Sequence, residues 1–342
     1  AAPGAADDAV FTDAGGAAGV LTNVVDGSVT VQSLSYQLDS AVPAAFFHTT
    51  EIAAGQTLLV TGDLGVAPSN IAGFTGQHPV DVTIRGATSS LQVGNSGTHT
   101  ANVVLGHAPV NSTGAHSVGL LDLSGVGSFT ANVNLLSLAS GLSSWQSTGY
   151  AELVLAPTNE INAKSIEMGR VLGYSNLLLG QDNTIQTNTM YVNMGKGATS
   201  GAYTNEVRFQ AGLTNPVLNL SGLDNDGVDL FIGTNITAGT GGASVGTMDL
   251  SGGVFNATLD DLTVGRFDYS NAGGSVGTLV MDAGSVTANN VILAQTNAPA
   301  GSESKTKGTI TMRGGSFDVS DNVTDGAGVS TIEILNGTMT VG

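Results

Sequence analysis

Four stretches in the last hundred residues of this chain are near-copies of one another, and nothing else in the sequence restricts its fold as tightly. Residues 246–255 read GTMDLSGGVF, 277–286 GTLVMDAGSV, 308–317 GTITMRGGSF and 330–339 STIEILNGTM. Thr247, Thr278, Thr309 and Thr331 follow at intervals of 31, 31 and 22 residues. Residues 119–129, GLLDLSGVGSF, are an earlier copy with one extra residue. Self-similarity at a period of roughly 20–50 residues marks a stacked-repeat architecture, in which each unit buries its apolar face on the next.

Inside each copy apolar and polar residues alternate with period two, the signature of a strand. Met248 and Leu250 point one way, Thr247 and Asp249 the other. Aligning the copies predicts four inward columns. They are Met248, Leu279, Ile310 and Ile332; Leu250, Met281, Met312 and Ile334; Phe255, Val286, Phe317 and Met339; and Ala257, Ala288, Val319 and Val341. A second landmark closes each unit, an apolar-x-apolar triplet followed by Gly or Ala. It ends at Gly106, Ala139, Gly169, Gly195, Gly233, Gly265 and Ala294; Gly326 follows, with Asp325 breaking the apolar pattern. Length varies in polar stretches after the landmark, such as FDYSNAGG and QTNAPAGSESK, which read as loops leaving one corner of successive coils.

Three short strands per unit, glycine corners and one variable loop describe an all-β, elongated β-solenoid (a parallel β-helix) with coils of roughly 22–38 residues. Residues 1–20 read as an N-terminal extension or cap and 21–342 as a single array, irregular over 21–80 and regular over 81–342. The motif G-T-φ-x-φ-x-G-G-x-φ followed by φ-x-φ-G, where φ is apolar, resembles the type-V-secretion/PEP-CTERM-associated repeats of bacterial surface and exported proteins, with autotransporter passengers as relatives. Residues 29–38 (VTVQSLSYQL) and 51–62 (EIAAGQTLLVTG) are similar to the opening coils of such proteins. The resemblance implies a β-solenoid outside the cell and carries no activity.

Composition narrows the function. Gly is 49 of 342 residues, without a Gly-X-Y period, and 41% of the chain is hydrophobic, which excludes collagen and argues against disorder. Asp and Glu number 27 against 9 Lys and Arg, a net charge of −18, and the first cation is Arg85. A surface so short of cations cannot neutralise phosphates, so nucleic acid is not an expected partner. There is no cysteine, and no apolar run long enough for a transmembrane helix. The opening Ala1-Ala2-Pro3 reads as a mature start after cleavage behind small residues, and the expected location is extracellular or at a cell surface.

Candidate chemistry is thin. β-helix enzymes that cut polysaccharides cluster carboxylates or cations on adjacent coils. The nine basic residues here are spread along the array, with Arg170, Lys196 and Arg266 just after landmarks, and there is one Trp, so no enzyme is expected. Asp224, Asp226 and Asp229, in DNDGVD, supply alternate oxygens before and after a Gly turn, and calcium is the one cofactor they would suit. The bland alternative is an acidic loop of turn-forming residues. His99, His107 and His116 match no metal-ligand spacing.

The expected function is structural: a self-associating subunit of a bacterial fibre, sheath or surface layer. The final repeat pattern presents Ile332, Ile334, Met339 and Val341 as a docking interface, either for further coils or for another subunit. An adhesin or binding stalk that contacts glycans or a cell surface is the alternative, and a polysaccharide-active enzyme the third.

Overall fold

The computed structural model of the chain describes residues 4–13, 20–38, 46–69, 76–108, 115–141, 147–195, 203–224, 226–235, 243–268, 274–297 and 303–342. Within them the backbone is nearly all strand, broken by one 3₁₀ turn at Glu303–Lys305. The strands form one parallel sheet wound round three faces, the parallel β-solenoid expected from the repeats. Face I carries the GTMDL-type copies: Ala243–Leu250, Gly274–Met281, Thr306–Met312 and Val329–Ile334 pair in succession. The chain then crosses face II and reaches the landmark on face III. Faces II and III are often one continuous strand, as in Val254–Phe267 and Ser285–Thr296, and Ala115–Ser140 covers all three faces. The three ladders are therefore present, but not always as three separate strands.

Inward columns run in register from the first coil to the last. On face I, Leu21 pairs with His48, and the column continues through Val82, Leu121, Leu153, Leu177, Val207 and Met248 to Ile332. On face II, Val31 leads through Val60, Val93 and Ala131 to Met339. On face III, Ala9 leads through Leu34, Leu64 and Val103 to Val323. Most of these side chains are fully buried in one continuous core. Burying a Val, Leu or Phe side chain stabilises by about 1.5–3 kcal/mol, so the columns are the principal source of stability.

The first two expected columns are observed pair by pair: Met248 with Leu279, then Ile310, then Ile332, and Leu250 with Met281, Met312 and Ile334. The third and fourth need correction at one step. Val286 pairs with Ala257, not Phe255, and Ala288 pairs with Leu259, not Ala257. Val254–Phe267 runs from face II into face III as one continuous strand, so face II inherits the register of the landmark, where Val264 pairs with Leu293. The two surplus residues are absorbed at the corner between faces I and II. An even offset leaves the inward side chains inward, and Phe255 and Val286 both stay buried.

The corner after face III explains why the two motifs occur together. Ala67, Gly106, Ala139, Gly169, Asn193, Gly233, Gly265 and Ala294 share the left-handed conformation, with φ between 46° and 76°. In one coil the residue is Asn193 rather than the expected Gly195: Val192 pairs with Ile232, so Asn193 aligns with Gly233. Asparagine tolerates left-handed φ, and here its side-chain amide donates to the carbonyls of Tyr203 and Val245, both at 3.0 Å. The leading glycine of the next copy packs on this column. A Cβ on Gly246, Gly277 or Gly308 would lie 2.3, 2.4 or 2.7 Å from the backbone nitrogen of Gly233, Gly265 or Ala294. The two glycine-bearing motifs are the two sides of one corner.

Candidate functional site

Sharp turns leave carbonyls to be satisfied, and inward hydroxyls on face I do so. Ser117 donates to the carbonyl of Ala67 at 2.8 Å, Ser275 to that of Gly233 and Ser244 to that of Gly195. All three serines are buried. The Ala67 carbonyl also accepts from the backbone N–H of His107 at 3.0 Å, and a hydrogen bond of this kind stabilises by about 0.5–1.5 kcal/mol net, so the seam reinforces the corner. The strands on either side of the segments that vary in length end and begin at this corner, from face III to face I. Within FDYSNAGG and QTNAPAGSESK, residues 269–273 and 298–302 lie outside the described residues.

Beside the corner lies an aromatic row on the outer side of face I. The rings of Tyr150 and Tyr174 stack at 4.8 Å and 9°, and the buried ring of Tyr203 lies against Tyr174 at 4.6 Å, tilted. A shallow groove of about 330 Å³ runs past Tyr150, Tyr174, Glu152 and Asn176. The Asn176 amide donates to Glu152 at 3.1 Å. Such a groove offers aromatic surface beside carboxylate and amide groups.

Exposed large hydrophobic side chains fall in the outermost described coils. Among the described residues, the exposed large hydrophobic side chains are Val10, Leu21, Val24 and Phe47 in the first coils and Val329, Ile334, Leu335 and Val341 in the last. Of the expected docking residues, Ile334 (46% exposed) and Val341 (51%) are open, whereas Ile332 and Met339 are partly buried against the core. At the opposite end the core opens into a cavity of about 300 Å³, lined by Phe11, Val25, Val31 and Leu34 with Tyr36 and Thr50 among its walls. A hydrogen-bonded chain lies there. Tyr36 donates to Thr50 at 2.6 Å, Thr50 to the Asn23 carbonyl oxygen at 2.8 Å, and His48 through Nε2 to the same oxygen at 2.7 Å. That oxygen only accepts, which assigns the His48 proton to Nε2 and leaves Nδ1 without a hydrogen-bond partner among the described residues. Burial raises the Tyr36 pKa and lowers that of His48 to about 4, so both groups are neutral in the folded chain at neutral pH.

Asp224 and Asp226 are exposed and Asp229 is half-buried; Asn225 lies outside the described residues. Among the described residues no group of three or more His, Cys, Asp or Glu side chains is arranged to hold a metal ion. The carboxylates that press on Asp229 are Asp261 and Asp260, which, after burial, raise its pKa. His99, His107 and His116 likewise form no ligand group. Arg170 and Arg266 pair with Glu167 at 3.4 Å and Asp268 at 2.8 Å, and Lys196 falls outside the described residues. No helix among the described residues is long and apolar enough to cross a membrane.

Sequence reasoning overlooked the buried hydroxyl seam and the Tyr36–Thr50–Asn23–His48 chain. Their one signal is polar residues at positions that the alternation turns inward. In a scan against protein-family models, a search of curated proteins and a search of solved structures, nothing matched this chain.

Proposed function

We propose that the chain is a structural element, a stiff β-solenoid rod that self-associates as the subunit of an extracellular bacterial fibre, sheath or surface layer. The observation that carries this reading is the single buried core, stacked in register from the first described coil to the last, which makes the array a stiff rod. The outermost strands of the described array carry backbone edges that further coils, a cap or another copy would pair. The net charge of −18 opposes association between copies, so assembly should strengthen as salt screens it.

Negative-stain imaging of concentrated protein at low and high salt tests the reading. Uniform fibres or sheets support it, and isolated rods at every salt concentration overturn it. The aromatic groove beside the variable corner favours a second reading, a binding stalk for glycans. Retention on a glycan array that is lost in Tyr150→Ala would support that alternative.

A further inference from the structure

Tyr150 and Tyr174 are direct partners on neighbouring parallel strands of face I, and their rings stack at 4.8 Å with 9° between the planes. Parallel pairing sends both phenols out of the sheet in the same direction. A small shift of either ring then brings the carbon ortho to one hydroxyl against its counterpart on the other. Both rings are half-buried and line the groove on the outer side of face I, so an edge of the stack meets solvent. The strands beneath them are paired on their other sides too, Ser147–Val154 with Ala115–Ser140 and Gly173–Leu179 with Tyr203–Phe209. The scaffold therefore holds the two rings together at a high effective concentration.

An oxidant that reaches this surface meets no thiol, because the chain has no cysteine, and Met168, Met190, Met248, Met281 and Met312 are fully buried. We infer that Tyr150 and Tyr174 form an oxidative cross-linking site, at which a peroxidase acting with hydrogen peroxide joins the two rings as dityrosine. Each phenol gives up one hydrogen atom, an electron and a proton, and becomes a tyrosyl radical. The radicals pair in a carbon–carbon bond between their ortho carbons. The hydrogen on each of those carbons then moves to the oxygen, which restores both phenols. The two electrons and two protons removed reduce one peroxide to two waters. The bond forms within one chain, so it needs no self-association.

The neighbouring rings set the selectivity. Tyr203 lies as near to Tyr174, at 4.6 Å, but it is buried and inclined by 51°, so the two ring edges do not run alongside each other. Tyr36 is fully buried. On face III, Tyr191 stacks on its direct partner Phe231 at 4.7 Å and 11°, but phenylalanine has no hydroxyl hydrogen to lose. The same stacked geometry thus occurs on face I with two phenols and on face III with one. A coil of a solenoid contacts mainly its neighbours, so the array can open rung by rung. A bond between Tyr150 and Tyr174 ties two consecutive rungs in a chain that has no disulfide to do so.

Treatment of the dilute 342-residue chain with a haem peroxidase and hydrogen peroxide, followed by trypsin and mass spectrometry, tests this. Lys164 and Arg170 lie between the two tyrosines, so trypsin separates them unless they are joined. A joined pair of peptides two hydrogen atoms lighter than their sum is expected, with fragmentation placing the bond at Tyr150 and Tyr174. Tyr150→Phe should lose that pair, and Phe231→Tyr should gain a second bond between Tyr191 and the new phenol; circular dichroism confirms that each variant is folded. In the cross-linked chain, hydrogen exchange in Ser147–Val154 and Gly173–Leu179 should slow on the order of a hundredfold, as for a disulfide closing a loop of similar span. A folded parent chain that yields no joined peptides would overturn the site. So would dityrosine that forms mainly between chains, forms equally at Tyr203, or persists in Tyr150→Phe. Exchange unchanged by the bond would overturn its role as a tie between rungs.

Discussion

Replacing Met281 with aspartate, beside Thr278 with aspartate, sets two positions three residues apart on one strand against each other. Met281 is fully buried, paired with Leu250 on one side and Met312 on the other. Truncating such a side chain costs about 2–5 kcal/mol through lost transfer energy and the cavity left behind. An aspartate there adds the cost of a carboxylate with no partner, which is met partly by taking up a proton. A loss of at least about 4 kcal/mol is expected. Thr278 points outward in a column with Thr247 and Thr309, and aspartate there stays in water, so the change should be within about 1 kcal/mol. Coils in a solenoid contact mainly their neighbours, so the damage should be local. Urea titration followed by circular dichroism gives the total, and hydrogen exchange should find the lost protection centred on Gly274–Met281 and its paired strands. Equal losses for the two variants, or protection lost uniformly along the chain, would refute the inward and outward assignment on which the columns depend.

Three further outcomes are expected. Gly265→Ala should cost about 1–3 kcal/mol in urea titrations, because φ there is +76° and a Cβ would lie 2.1 Å from the carbonyl oxygen of Lys307, whereas Ala294→Gly in the same column should cost less than about 1 kcal/mol. His48 holds a pKa of about 4 in the folded chain against an ordinary 6.5, so the unfolded state binds its proton first and stability should fall as pH drops from about 6.5 towards 4; His48→Gln should remove that part of the slope. If the DNDGVD segment binds calcium, millimolar Ca²⁺ should raise the melting temperature and Asn at Asp224, Asp226 and Asp229 should abolish the gain; a melting curve indifferent to both Ca²⁺ and chelator leaves an acidic turn.

The parts of this fold that could be read from the sequence are those that repeat. Met248, Leu279, Ile310 and Ile332 announce a column because period-two alternation and a constant interval coincide there. The offset at Phe255 could not be read, since both strands carry the same pattern and only the continuity of Val254–Phe267 with the landmark decides between registers two residues apart. Asn193 was hidden for a related reason. The chain offered a glycine two residues on, and left-handed geometry does not demand glycine where an asparagine amide can satisfy neighbouring carbonyls. Ser244, Ser275, Thr50 and His48 went unnoticed because polar side chains at inward positions look like breaks in the pattern, and their carbonyl and hydroxyl partners come from other coils. The Asp224, Asp226 and Asp229 reading relied on closeness along the chain, but in a stacked coil the nearer neighbours of Asp229 are Asp260 and Asp261 from the next turn.

The two-residue slip between faces I and II has a consequence for how such a chain can change length. On a face, side chains alternate between core and water, so an insertion of one residue would turn a whole strand inside out, while an insertion of two only slides it along its neighbour. Phe255 shows the second kind of change absorbed at a corner with the core intact. Growth along a face therefore comes in pairs, whereas the corners are free of that parity: between faces II and III the register shifts by one residue from Val228↔Leu259 to Leu230↔Leu262 and again from Ala288↔Val319 to Asn290↔Asn322. New sequence, and with it new surface chemistry, can enter this molecule one residue at a time at its edges, while its faces count in twos.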